Sequence, residues 1–143
     1  MNGAERSCYR YGIIDDIAMK KSYPFRIDLS DTGRDIDVIQ RLEHFALLNL
    51  GMVQSLGAGI LGGTEAIQRF YHADNCLYVR KHLKNRQANA IMGHGIQLPD
   101  LFDSLPAEEA QREFLHELET MRSLCLKLLE NVRSPDFAGP AQA

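Results

Sequence analysis

The 143-residue sequence has no tryptophan and only three cysteines, Cys8, Cys76 and Cys125. They are odd in number, far apart and without a CxxC pair, and the amino end carries no secretory stretch. These features exclude a disulfide framework and lead to the expectation of free thiols in a reducing, cytoplasmic setting. An excess of one charge is also lacking. Sixteen Lys and Arg stand against nineteen Asp and Glu, a formal net charge of −3, so nothing sequence-wide attracts nucleic acid or anionic lipid. With 45% hydrophobic and 24% charged residues, the composition is that of one globular domain.

The motifs of common chemistries are missing too. The glycine-rich GAGILGG lacks the Lys-Ser/Thr ending of a phosphate loop and the glycine spacing of a dinucleotide fingerprint. A calcium loop begun at Asp28 places Gly33 at its sixth position but Ile39 at its twelfth, where a bidentate Glu is required. Glu113 and His116 form one Glu-x-x-His, whereas a two-metal bundle site needs that pair twice. On a helical wheel His116 turns well over 90° from Leu118 and Met121, toward water. His72 and Cys76 are four apart, but Asp74 and Asn75 are expected to end one helix and start another between them. No serine or cysteine sits in a nucleophile elbow or beside a local histidine. No catalytic residue, cofactor or metal is therefore assigned.

What is present is an uncharged run, FALLNLGMVQSLGAGILGGT, from Phe45 to Thr64. At about 100° per residue, Leu42, Phe45, Ala46, Asn49, Met52, Val53, Leu56 and Ile60 form one broad stripe. The opposite side, with His44, Leu47, Gly51, Gln54, Ser55 and Ala58, is uncharged as well. A helix apolar or small all round is normally buried, so the run is expected to be the central helix. It approaches the roughly 20 residues that span a bilayer, and Gly51, Ser55 and Gly59 lie four apart as in crossing membrane helices. Asn49, Gln54, Ser55 and the glycines weaken the membrane reading, which is set aside.

Before the run, the alternation of Tyr9, Tyr11 and Ile13, and of Tyr23, Phe25, Ile27 and Leu29, is that of a short antiparallel pair within residues 8–30. Asp31 to Asp37 is expected to cap the start of the central helix. After it, Thr64 is placed as the cap of a short helix reaching Tyr71, with Ala66, Ile67 and Phe70 inward. Asp74 is placed as the cap of the next helix, with Cys76, Leu77, Val79 and Leu83 inward. Arg80, Lys81, Lys84 and Arg86 bring positive charge to its carboxyl end, where the helix dipole accommodates it, and they lack the interleaved aromatics of a nucleic-acid surface.

The segment AIMGHGIQLPDLFDSLP has the composition of a patterned loop. Gly93 and Gly95 permit turns on either side of His94, Pro99 suits the first position of a short helix, and Leu98, Leu101, Phe102 and Leu105 are expected to cover the open end of the core. His94, Gln97, Asp100 and Asp103 are the nominees for a polar binding site on it. The last helix starts at Pro106 with Glu108 and Glu109 in its first turn. Ala110, Phe114, Leu118, Met121, Cys125, Leu128 and Val132 recur at intervals of three and four, with Leu115, Leu124 and Leu129 broadening the stripe, and the helix is expected to pack along the central one. Residues 134–143 are expected to be a disordered polar tail.

From about Leu42 to Leu129 the sequence resembles a family of small bacterial helical domains of unknown function. The resemblance lies in the uncharged helix, in GGTEAIQRFY after a glycine turn, and in GHGIQLPDLFDSLP before the Leu-rich closing helix. Gly95, Gln97, Leu98 and Asp100 fill the places of a glycine, an acidic or polar residue, a leucine and an aspartate, Gln97 departing from the acidic type. No activity comes with the resemblance.

The fold expected is mostly α: one compact helical bundle over residues 1–133 around a central apolar helix, with a small N-terminal β-hairpin. The function expected is a bacterial cytoplasmic protein, of regulatory or immunity kind, that binds another protein or a second copy of itself as a dimer. Nucleic acid and membrane are not expected partners. The alternative is a small enzyme or ligand-binding domain with a polar site around His94, Asp100 and Asp103.

Overall fold

The computed structural model describes residues 26–31 and 37–134. Among them are five α-helices: α1 (Val38–Gly57), α2 (Gly63–Arg69), α3 (Ala73–Tyr78), α4 (Arg86–Ser104) and α5 (Ala107–Arg133). A 3-10 turn, Leu29–Asp31, precedes them, and a π-helical turn, Val79–Leu83, continues α3. The fold is a mostly α bundle, as the patterning predicts. No strand occurs among the described residues. Of the expected hairpin, residues 8–25 lie outside the described ones, and Leu29 opens a 3-10 turn instead of ending a strand. Residues 135–143 of the expected tail also lie outside, and Ser134 is the C-cap of α5.

Helix α1 begins where Asp37 Oδ1 accepts the Gln40 N–H at 2.9 Å, satisfying one of the donors a helix start leaves open. Its stripe of Leu42, Phe45, Ala46, Asn49, Met52, Val53 and Leu56 is buried. Two expectations about this helix are corrected. It ends at Gly57, and Gly59 at φ +77° turns the chain away, so Ile60 leaves the stripe and is 76% exposed. The opposite flank is wet: His44, Leu47, Gly51, Gln54 and Ala58 are exposed, with Ser55 half-buried. Absence of charge on that flank reflects small and neutral polar residues, which water accepts as readily as a neighbouring helix does.

Helix α5 buries the predicted stripe, from Ala110 to Val132, in full. It runs antiparallel to α1. Arg133 Nη2 meets Glu43 Oε2 at 2.7 Å near one end, and Gly57 faces Leu118 near the other. Helix α4 returns along the second side of α5, with Asn131 donating to Gln87 at 3.1 Å and the rings of Phe102 and Phe114 5.3 Å apart. The closing helix thus packs against both long neighbours. Leu124 and Leu129 are half-buried, while Leu115, expected to widen the buried stripe, is 48% exposed.

The corner between α2 and α3 fills the remaining side. Phe70 and Tyr71 are fully buried and meet edge to face at 5.0 Å. Tyr71 donates its phenol proton to Asn49 Oδ1 at 2.7 Å, and the Asn49 amide donates to the Phe45 carbonyl at 2.9 Å, so this buried polar pair is satisfied. Burial pushes the Tyr71 phenol well above its usual range, with Cys125 adding to the effect.

Several local assignments are corrected here. Gly62, in extended conformation, precedes α2, with Thr64 inside the helix. His72 and not Asp74 caps α3, because its Nδ1 accepts the Asn75 N–H at 3.4 Å while Asp74 is turned to Arg26 at 3.1 Å. The break between α2 and α3 therefore ends at His72 itself, and Asp74 and Asn75 lie inside α3. Leu77 points outward at 42% exposure, and Asn75 takes an inward place instead. Arg86 opens α4 behind the cap Asn85, so it lies at a helix amino end and not at a carboxyl end.

The largest correction concerns AIMGHGIQLPDLFDSLP, which is helical through Ser104 and contains Pro99 within α4. Two of its turn-forming residues, Gly95 and Pro99, serve packing. A Cβ at Gly95 would lie 2.6 Å from the Tyr71 ring, and the Pro99 ring lies against Gly63 at the start of α2. Pro99 gives up one intrahelical hydrogen bond, and the buried Leu98 beside it anchors that turn.

Candidate functional site

The four nominated polar residues are strung along one helix. His94 to Asp103 is nine residues, so roughly 13 Å and half a turn separate their Cα positions. Gln97, Asp100 and Asp103 are exposed, and His94 is half-buried because its Nδ1 meets Glu117 Oε1 of α5 at 2.5 Å. The fold therefore does not converge these side chains on one ligand. His94 instead links α4 to α5.

Asp100 and Asp103 do share a region with other groups. Where the end of α4 turns into α5, Glu108, Glu109 and Glu113 are exposed alongside them, with Arg112 as the interspersed cation. Phe102, 47% exposed, packs its ring at a tilt against the buried Phe114 in the same region, and Leu115 follows at 48%. Ile60 stands beyond the end of α1 that packs on Leu118. This end of the bundle thus presents large apolar side chains among carboxylates.

A second cluster joins residues 26–28 to the amino end of α3. Arg26 Nη2 lies 3.3 Å from Asp28 Oδ1, 3.0 Å from His72 Nδ1 and 3.1 Å from Asp74 Oδ2, and His72 Nε2 lies 3.2 Å from Asp28 Oδ1. A carboxylate against one imidazole nitrogen is the arrangement that prepares a general base. Here the other nitrogen is occupied, since Nδ1 accepts the Asn75 amide of the helix cap. The cluster is thus built to hold chain segments together. Asn75 completes that role: its amide donates to the carbonyls of Ile27 at 2.6 Å and Phe70 at 2.8 Å, and its oxygen accepts the Leu29 N–H at 2.9 Å.

Between that segment and α1 lies a cavity of about 100 Å³. Phe45, Leu48 and Leu83 give it an apolar lining, and Arg41, His44 and Tyr78 stand around it. Arg41 Nη1 donates to the Tyr78 phenol oxygen at 3.0 Å. Sequence inspection does not find this cavity, because its lining comes from residues 27–29, 41–48 and 78–83.

No group of three or more His, Cys, Asp or Glu side chains suited to a metal ion occurs among the described residues, and Glu113 and His116 are exposed. Cys125 is fully buried, its thiol pushed up to about 12 by burial despite the opposing charge of Arg122. Cys76, half-buried, is also raised by burial, against the lowering effect of Arg80. Neither is poised as a thiolate nucleophile. Arg80, Lys81, His82, Lys84 and Arg86 are all exposed around the π-helical turn, with Lys84 in the left-handed conformation at φ 48°. Among the described residues no helix is long and apolar enough to cross a membrane. No family model, no curated protein and no solved structure matches the chain.

Proposed function

We propose that the chain acts by binding another protein, in the manner of a regulatory or immunity protein of a bacterial cytoplasm, and that the contact is the end of the bundle where α4 turns into α5. The observation that carries this reading is the exposure of Phe102, Leu115 and Ile60 at an end rimmed by Asp100, Asp103, Glu108, Glu109 and Glu113. Scattered exposed leucines are ordinary, but several large apolar groups at one end, with charge around them, have the anatomy of an interface centre and rim. The rim selects a partner presenting Lys and Arg around an apolar socket. Carboxylates would speed encounter and fix orientation, while the apolar centre holds the complex together.

The test is affinity isolation of the tagged full chain at low salt, compared with Phe102→Glu and with Leu47→Glu on the wet flank of α1. The expected result is a basic partner retained by the wild type and by Leu47→Glu, weakened by added salt, and lost by a folded Phe102→Glu variant. Equal retention by all three, or nothing retained by the wild type, would overturn the reading.

A further inference from the structure

The charges around α4 are sorted by sign. No Asp or Glu occurs between Asp74 and Asp100, a stretch that holds Arg80, Lys81, Lys84 and Arg86. No Lys or Arg occurs between Arg86 and Arg112, a stretch that holds Asp100, Asp103, Glu108 and Glu109. All of these side chains are exposed. Arg86 at the amino end of α4 and Asp103 in its last turn both oppose the helix dipole, so their placement does not serve the stability of that helix. The two ends of α4 are about 27 Å apart at the rise of an α-helix, well beyond the screening length of about 10 Å at about 0.1 M salt. Their attraction therefore acts from one copy to another and not within a chain.

The basic end also holds a recess. Ser30, Leu77, Tyr78, Lys81 and His82 line a groove of about 250 Å³ together with Asp74. Leu77 is 42% exposed, and the rings of Tyr78 and His82 stand 4.9 Å apart. Asp74, the carboxylate in the lining, is engaged by Arg26 at 3.1 Å. Among the described residues, none of Arg80, Lys81, Lys84 and Arg86 takes part in an ion pair. A space of about 150 Å³ takes benzene, so the groove has room for one phenyl ring, and its aromatic wall suits such a ring. The opposite end of the bundle offers one in Phe102, exposed among carboxylates.

We propose that a second copy of this chain docks head to tail, Phe102 of one copy entering the groove at Leu77 and Tyr78 of the next, with the surrounding carboxylates against the cations there. The two surfaces differ, so the contact is heterologous, and copies add in a row or close into a ring. The chain itself thus presents what the acidic end selects, Lys and Arg around an apolar socket. The inference rests on the reading of that end as a protein contact and adds a regulation of it: self-association covers the same Phe102 that a foreign partner needs, so the two compete.

The test is sedimentation of the purified full chain at about 20 µM and about 1 mM, a range that brackets weak and moderate affinities. At about 30 mM salt the weight-average mass is expected to rise with concentration above that of the single chain, 16.1 kDa, and to fall back toward it in about 0.5 M salt. Phe102→Glu closes one end, and Arg80→Glu with Lys81→Glu closes the other. Each variant alone should remain a single chain, and an equimolar mixture of the two should reach the mass of one pair and no more, since one open end is left on each. Asp100→Lys with Asp103→Lys leaves the contact of Phe102 with Phe114 in place and should likewise remain a single chain. A wild type that is monomeric at about 1 mM and low salt, association that survives in any of these variants, or a mixture that stays monomeric would overturn the inference. Absence of self-association beside retention of a foreign basic partner removes this inference alone, and self-association with nothing foreign retained removes only the foreign partner.

Discussion

Gly95 lies flat against the buried ring of Tyr71, so close that a Cβ there would sit 2.6–2.7 Å from three ring carbons. The ring has no easy way to yield, because its hydroxyl is tied to Asn49 at 2.7 Å and it meets Phe70 edge to face at 5.0 Å. Gly95→Ala is therefore expected to lose about 1–3 kcal/mol from overpacking, although alanine is the better helix former. Gly93, two residues away in the same helix, has nothing within 4 Å of its Cβ position. Gly93→Ala should gain about 0.5–1 kcal/mol. Denaturant unfolding of both variants checks the pair, and equal effects of the same sign would contradict the packing account.

The hydrogen bond between Tyr71 and Asn49 is expected to behave as a coupled unit. Tyr71→Phe leaves the Asn49 oxygen buried without its donor and should cost about 1–3 kcal/mol. Asn49→Leu strands the phenol and should cost a similar amount. The double variant removes both partners, so its loss should fall short of the sum of the two single losses. Additive losses in the unfolding free energies would show that the bond is not a coupled pair.

The legible part of this fold is the part where apolar residues contrast with charged ones. The stripe from Ala110 to Val132 stands out on a helix otherwise rich in Glu and Arg, and every member is buried. The inner face of α1 is legible for the same reason of spacing, but its outer flank is not. Leu47, Gly51 and Gln54 carry no charge, and without charge nothing local in the sequence separates a wet flank from a dry one. Gly95 and Pro99 read as turn residues because turn chemistry and close packing draw on the same residue types, whereas Gly93 has nothing packed against it and is simply carried in the helix. In α4 the demand set by Tyr71 and Gly63 outweighed the local preference for a turn. His72 displaced Asp74 as a cap because Arg26, 46 positions distant in sequence from His72, draws the aspartate away, which no local rule reads. The cavity was invisible since three separate segments line it.

Asn75 holds residues 27–29 against the α2–α3 corner with three hydrogen bonds, two donated to Ile27 and Phe70 and one accepted from Leu29. Ile27 N–H adds one to the Arg69 carbonyl at 2.9 Å. Asn75→Ala is expected to cost roughly 2–4 kcal/mol, at about 0.5–1.5 kcal/mol for each bond lost. Hydrogen exchange should show the change locally, with the Leu29 amide exchanging faster while amides in the middle of α5 keep their order of protection. A uniform rise across α5 without a larger one at Leu29 would mean that Asn75 supports the whole bundle and not this segment.

The Cys125 thiol supplies a pH dependence with a definite sign. In the folded chain it is raised from 9.0 to about 12 because burial opposes the thiolate. The folded state therefore keeps its proton over a range in which the unfolded chain has lost it. Stability from this source is fully present below about pH 9 and is lost as pH rises from about 9 toward 12, with a slope of at most about 1.4 kcal/mol per unit. Tyr71, also raised by burial, adds a loss of the same sign at the alkaline end. Cys125→Ala should be less stable at neutral pH, from the small cavity left behind, and should lose less on going from pH 8 to 10.5 than the wild type does. The same burial predicts that a thiol reagent at pH 8 modifies Cys76 well before Cys125, and that Cys125 reacts at the rate of unfolding. Parallel stability curves for wild type and Cys125→Ala across that range would refute the assignment of the alkaline loss to this thiol.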